Sequence, residues 1–229
     1  MRFSIILPVL NEGEHIAAAL DALTAARAQG AQIIVADGGS TDNTLALARL
    51  SADIVLQAMR GRANQMNAGA QMATGEVLIF LHVDTRLPTH ALELIAQGLQ
   101  NSALQWGRFD VAIEGHSSLL PIVARMMNLR SRLTSICTGD QALFMTREAY
   151  VRVGGFPAIA LMEDIAISRA LKAISPPLCV RACVTTSGRR WEKHGVLRTI
   201  ALMWSLRAMY FFGVSPRWLA RLYGYGDAA

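Results

Sequence analysis

The sequence predicts an α/β fold, a single domain whose mostly parallel central sheet is flanked by helices. Three observations carry that prediction. Apolar runs too short for helices recur at residues 3–7, 33–36 and 77–81, and such runs suit strands buried on both faces. Each is separated from the next by helix-period sequence and short connections, so strand and helix alternate for about eighty residues, as right-handed crossovers of a parallel sheet require. Each run also ends beside side chains that carry chemistry: Asn11 and Glu12, Asp37, and His82 with Asp84.

Taken in order, residues 3–7 form a strand that Pro8 should stop. Ile16, Leu20 and Leu23 then recur at helical spacing, and 33–36 is the second strand, ending at Asp37. Gly38-Gly39 makes a loop, and Thr41 or Asp42 can cap the helix carrying Leu45 and Leu47. Residues 53–56 are a third strand, 62–72 a third helix, and 77–81 the central fourth strand. The second half is less regular. Residues 90–99, 119–133, 147–153 and a segment opening at Glu163-Asp164 and ending near Lys172 read as helices; 106–113, 142–145 and 178–184 read as strands. No linker divides the halves.

The tail, 196–223, is apolar but interrupted by Arg198, Arg207, Arg217 and Arg221. A basic amphipathic segment with aromatics can lie on an anionic membrane. It can equally pack on its own domain or form a homodimer contact, and the sequence leaves these open.

Composition narrows the class. At 52% hydrophobic and 17% charged, with no low-complexity tract, the chain can bury a sizeable core. The net charge of +5 comes almost wholly from arginine, since only Lys172 and Lys193 are lysines; arginine suits bidentate phosphate contact. The excess fits an anionic ligand or membrane surface and is too small to imply nucleic acid. Cys137, Cys179 and Cys183 cannot all pair, which predicts buried thiols in a reducing compartment. The opening residues lack the apolar core and cleavage site of a signal peptide, and no run of 18 apolar residues occurs. A cytoplasmic location is therefore expected, with peripheral contact at the inner membrane face as a further option.

In a parallel sheet the strand ends share one edge, where open α/β folds place their ligand crevice. Asp84, with His82 beside it, reads as a carboxylate holding a divalent cation on a diphosphate. Asn11, Glu12 and Asp37 can accept hydrogen bonds from ribose or base, while Arg60 and Arg62 can face phosphates. Glu163-Asp164 at a helix start suits dipole stabilisation or a base that deprotonates a hydroxyl. Arg189, Arg190 and Trp191 can neutralise a leaving diphosphate beside an indole platform. No Gly-x-Gly-x-x-Gly or Walker loop follows the first strand, which argues against dinucleotide and P-loop chemistry.

Together, residues 5–12, Asp37-Gly38-Gly39-Ser40-Thr41-Asp42, Gly61-Arg62 with Asn67-Ala68-Gly69, and Thr74-Gly75-Glu76 leading into His82-Val83-Asp84 resemble the family 2 glycosyltransferases of the GT-A fold. Gly154-Gly155-Phe156-Pro157, Glu163-Asp164 and Arg190-Trp191 continue the likeness in order. The resemblance covers most of residues 1–191. It implies a nucleotide-sugar-binding half (1–85) and an acceptor and catalytic half (86–191), followed by the helical tail (192–229). The compact length and the His-x-Asp form are similar to a small bacterial subfamily associated with radical-SAM and selenium-linked domains.

By position, the resemblance implies that Pro8, Asn11, Glu12 and Asp37 bind the donor nucleoside, with Arg60, Arg62, Asn67 and His82 close by. Asp84, and His82 with it, would hold Mn2+ or Mg2+. Asp164, supported by Glu163, would be the base of an inverting, non-processive transfer from a UDP- or GDP-sugar to a hydroxyl or phosphate acceptor. Arg190, Trp191 and Asp140 would flank the leaving group and acceptor, for which the apolar tail suggests a lipid-linked molecule. Departures are visible: Gly38 replaces a second acid, His82 replaces the first Asp of Asp-x-Asp, and Ser187 opens the last element. Nucleotidyl transfer and a non-catalytic nucleotide-sugar-binding role are the competing functions.

Overall fold

The computed structural model describes residues 1–225. The chain runs β1 (Phe3–Val9), α1 (Ile16–Asp21), α2 (Thr24–Ala28), β2 (Gln32–Asp37), α3 (Thr44–Ala48), β3 (Ile54–Gln57), α4 (Arg62–Met72) and β4 (Val77–Phe80). It continues with β5 (Thr85–Arg86), α5 (Ala91–Gln100), β6 (Trp106–Glu114), α6 (Leu120–Thr134), a 3-10 turn at Gly139–Gln141, β7 (Leu143–Thr146) and α7 (Arg147–Val153). The last elements are α8 (Glu163–Lys172), β8 (Leu178–Ser187), α9 (Arg189–His194), α10 (Val196–Phe211) and α11 (Pro216–Tyr223).

The strands make one eight-stranded sheet in the order β3-β2-β1-β4-β7-β6-β8-β5. β1 to β4 are mutually parallel, β7 runs against both β4 and β6, and β8 is parallel to β6. Alternate side chains of the central strands enter two cores. Ile5, Leu7, Ile33, Val35 and Ile79 face α1, α5 and α6, whereas Ile6, Ile34, Leu78 and Phe80 face α4, α7 and α8. α4 packs closely because Gly69 has no side chain; a Cβ there would lie 2.5 Å from Ile6 Cγ2.

Between β3 and β4 the chain returns across β2 and β1. The crevice of such a sheet opens where the order reverses, at the carboxyl ends of β1 and β4. Glu12 follows the first of these strands, and His82 and Asp84 follow the second.

Several expectations change. β1 does not stop at Pro8 but runs to Val9. The Ile6 carbonyl accepts from Leu81 N on the β4 side, so alternation turns the Pro8 nitrogen to that same side. Pairing with β4 has ended there at Ile6↔Phe80, and the missing N–H costs no ladder bond. The first helix is two, α1 and α2, separated at Ala22-Leu23. β5 forms a short strand against β8 where no strand was expected. β8 extends past Val184 to Ser187. Of the three cysteines only Cys137 is buried; Cys183 is exposed, and none is paired. β8 shifts register by a bulge opposite Phe109/Asp110, and period-2 counting cannot see a bulge.

The tail folds back on its own domain. Leu206, Leu219 and Ala220 bury against Leu161 and Met162, the two residues ahead of α8. Its outer side leaves Trp204, Phe211, Phe212 and Trp218 exposed. No helix among the described residues is long and apolar enough to cross a membrane.

Candidate active site

A cavity of about 890 Å³ opens at the carboxyl ends of β1 and β4. Pro8, Glu12, His82 and Asp84 line it from the strand ends, and Asp140, Glu163 and Asp164 from the facing 3-10 turn and α8. Arg189, Arg190 and Trp191 of α9 also line it, as do Tyr223 and Tyr225.

Each wall is held by identifiable contacts. Met162, immediately before α8, takes a left-handed conformation (φ 72°). This is a strained choice for a non-glycine residue, and such strain concentrates at functional sites. Gly139 N donates to Asp164 Oδ2 at 3.2 Å, fixing that carboxylate against the 3-10 turn. The same turn brings Asp140 Oδ1 to 3.2 Å from His82 Nδ1. Gly139 must be glycine for this approach, since a Cβ would stand 2.2 Å from His82 Nε2. Arg189 Nη2 lies 3.5 Å from both Glu12 Oε2 and Asp84 Oδ2, joining the ends of β1 and β4.

Arg62, expected beside the donor, lines the cavity and reaches across it to α8. Its Nη1 is 3.6 Å from Glu163 Oε1, and its Nη2 donates to Tyr225 Oη at 3.2 Å. Arg190 stacks on the Tyr223 ring at 3.7 Å and donates to the Tyr223 carbonyl at 3.3 Å. The tail therefore clasps two arginines of the cavity.

The charges are tuned in opposite directions. Burial pushes the Glu163 carboxyl upward; Arg62 opposes this and Asp164 adds to it. Burial acts on Asp140 in the same sense, but the His82 hydrogen bond and the charges of His82, Arg62 and Arg207 outweigh it and hold Asp140 below the usual carboxylate range. One cavity thus presents two acids with environments that differ in sign, a pattern associated with active sites.

Four expected site residues lie off the cavity wall. Asp37 is fully buried, its Oδ2 accepting from Gly39 N and Ser40 N at 2.9 Å. Asn11 Oδ1 accepts from Thr41 N at 2.9 Å, linking the same loops. Asn67 holds the Gly154-Gly155-Phe156 turn, accepting from Phe156 N and donating to the Phe156 carbonyl. Arg60 is exposed. For Asp37 and Arg60 the strand order explains this: β2 and β3 lie on the far side of β1 from β4, so their ends flank the crevice.

Reading by residue type passed over Arg130, Arg207, Tyr223 and Tyr225, all of which line the cavity. A signal for Arg130 was present, because it stands two helical turns after buried Val123, on the inward face of α6.

A divalent ion shared with a diphosphate needs only one or two protein carboxylates, the phosphates filling other positions. No cluster of three or more His, Cys, Asp or Glu side chains fit to cage an ion occurs among the described residues. Asp84, lining the cavity and held by a 3.5 Å contact to Arg189, fits the shared arrangement.

Residues 4–148 match the family model described as glycosyl transferase family 2. The chain belongs to glycosyl transferase family 2. A PGL/p-HBAD biosynthesis glycosyltransferase of Mycobacterium bovis is 35% identical over 92 residues, covering 37% of this chain and 36% of that protein. The chain thus spans about a third of the length of that curated relative. Among solved structures, Staphylococcus aureus TarS in complex with UDP-GlcNAc aligns with a TM-score of 0.65 at 17% identity, covering 82% of this chain and 58% of that one. The mannosyltransferase PcManGT from Pyrobaculum calidifontis, in complex with GDP-Man and Mn2+, aligns at 0.59 and 20% identity, covering 80% and 56%. At such identities these structures show the shared GT-A fold.

Proposed function

We propose that this chain is an inverting, non-processive glycosyltransferase that moves one sugar from a UDP- or GDP-sugar to an acceptor hydroxyl. The observation that carries the reading is the meeting of strand-end Asp84 and helix-start Asp164 on one cavity. The donor diphosphate would lie at the β1/β4 end, beside Asp84, Arg189 and Arg190. The acceptor would approach from the α6 and α10 side.

In the step itself, the acceptor oxygen forms a bond to the anomeric carbon as the bond from that carbon to the diphosphate breaks. Asp164 takes the hydroxyl proton, and Gly139 N holds its other oxygen in place. Arginines stabilise the negative charge that develops on the departing diphosphate. Glu163 and Arg62 act as positioning residues behind Asp164. Mn2+ or Mg2+ at Asp84, with His82 nearby, would add Lewis-acid charge at the diphosphate.

The His-x-Asp form supports placing the chain with the small bacterial subfamily associated with radical-SAM and selenium-linked domains. Unpaired cysteines and exposed tail aromatics support a cytoplasmic protein touching the inner membrane face. Thermal-shift screening of nucleoside diphosphates and their sugars with Mn2+ tests the reading. A true donor at a hundredfold excess over Kd should raise Tm by on the order of 5–10 °C. No shift with any nucleotide would contradict it.

A further inference from the structure

Two cations on the acceptor side of the cavity have no close ion-pair partner, although the charge of Asp164 acts on both and that of Asp140 on Arg207. Arg130 on α6 has its Nε and Nη2 buried with no hydrogen-bond partner. Arg207 on α10 lines the same cavity, and neither arginine forms an ion pair or side-chain hydrogen bond among the described residues. Burial and the neighbouring Arg207 charge pull Arg130 down to about 10, and burial lowers Arg207 as well. Guanidinium groups stay protonated. A half-buried cation with no close ion pair is incompletely compensated, and in Arg130 two buried nitrogens also lack a hydrogen-bond partner; the two arginines near Asp164 therefore suit an anion that arrives with a ligand.

The surroundings say what kind of ligand. From Arg130 outward the wall is apolar: Met126, Leu129 and Leu133 from α6 face Met203 and Trp204 from α10 across the same cavity. Met126, Leu129, Leu133 and Trp204 are each at least half exposed, so this apolar channel reaches the surface. Ile122 on α6 and Phe211 on α10 are exposed as well. A sugar or nucleotide acceptor would leave these residues facing solvent.

We propose that the acceptor is an amphiphilic anion, with a phosphate-type group neutralised by Arg130 and Arg207 and an apolar chain lying in the channel between α6 and α10. The proposal rests on Asp164 being the base of a sugar-transfer site, because it assigns the substrate that Asp164 would deprotonate. The two arginines orient the acceptor at its anionic group, and the bond changes are those given above.

The probe is monododecyl phosphate below its micellar concentration, read by tryptophan emission, since Trp191 and Trp204 line the cavity. Inorganic phosphate serves as the anion alone and dodecyl maltoside as the chain alone. Monododecyl phosphate is expected to bind at least tenfold more tightly than either control, and the double variant Arg130→Gln/Arg207→Gln to lose at least tenfold of that affinity. Equal binding of inorganic phosphate would overturn the apolar half of the proposal, and equal binding of the maltoside would overturn the anionic half. An undiminished double variant would overturn it altogether.

Titrating the same variant with UDP or GDP and Mn2+ distinguishes the two sites. A selective loss of nucleotide affinity would assign the arginines to the donor and overturn the proposal. Should wild-type protein bind the dodecyl phosphate but no nucleotide, the sugar-transfer reading fails while the anion site stands. Arg130→Met guards against misfolding: without ligand its Tm should equal or exceed that of wild type, because an incompletely compensated cation is gone. A fall in Tm would mean that Arg130 serves the fold, against the proposal.

Discussion

Arg189 Nη2 lies 3.5 Å from Asp84 Oδ2, so the carboxylate assigned to the divalent ion already has a cation beside it. The same nitrogen is 3.5 Å from Glu12. An ion held at Asp84, as proposed, would therefore compete with the arginine until a diphosphate arrives and gives both an anion to share. Arg189→Ala is predicted to tighten Mn2+ binding several-fold in the absence of nucleotide and to weaken nucleoside-diphosphate binding. Calorimetry in each order of addition checks this, and weaker ion binding in the variant would contradict it.

Asp164→Asn keeps the shape of the α8 start and removes the proton acceptor. Transfer should fall by about 10²–10⁴-fold, while nucleotide-sugar affinity changes by less than a factor of about three. Parallel loss of binding and rate would place Asp164 in donor recognition.

Gly139→Ala should be unusually damaging for so small a change. The new Cβ would meet His82 Nε2 at 2.2 Å and force apart the His82–Asp140 pair and the Gly139–Asp164 bond. We expect a stability loss of about 1–3 kcal/mol with a larger proportional loss of activity, read by urea unfolding and turnover on one preparation. Activity falling only as far as stability would refute the local mechanism.

Glu163 gives the fold a pH dependence. Burial disfavours its charged form, so the folded state holds the proton to higher pH than the unfolded chain does. Its stabilising contribution is complete below the unfolded value of about 4.3 and is lost as pH rises through the raised folded value. Glu163→Gln cannot lose it. The variant's Tm relative to wild type should therefore rise as pH increases from about 4 through the raised folded value; a constant difference would show that Glu163 does not titrate in this way.

The parts of this protein that could be read from sequence are those set by local pattern. The apolar runs at β1, β2 and β4 and the acids at their ends follow from strand burial and sheet polarity alone. Sequence did not reveal the order β3-β2-β1-β4, which puts Glu12 and Asp84 together and leaves Asp37 and Arg60 aside. Order depends on long-range pairing, which no single segment encodes. The contacts of Arg62 were not legible for a related reason: its partners, Glu163 and Tyr225, lie far along the chain. The tail was ambiguous because both of its options use apolar residues. Leu206 and Leu219 are buried against Leu161 and Met162 while Phe211 and Phe212 stay outside, and only tertiary packing decides which face is which.

The most direct test of the account is slow donor hydrolysis without acceptor. Purified protein with Mn2+ would be incubated with UDP- and GDP-sugars, and free sugar measured for wild type and Asp164→Asn. The account predicts release from at least one donor by wild type, and binding of that donor with little or no release by the variant. No release from any donor, or equal release by both proteins, would contradict it.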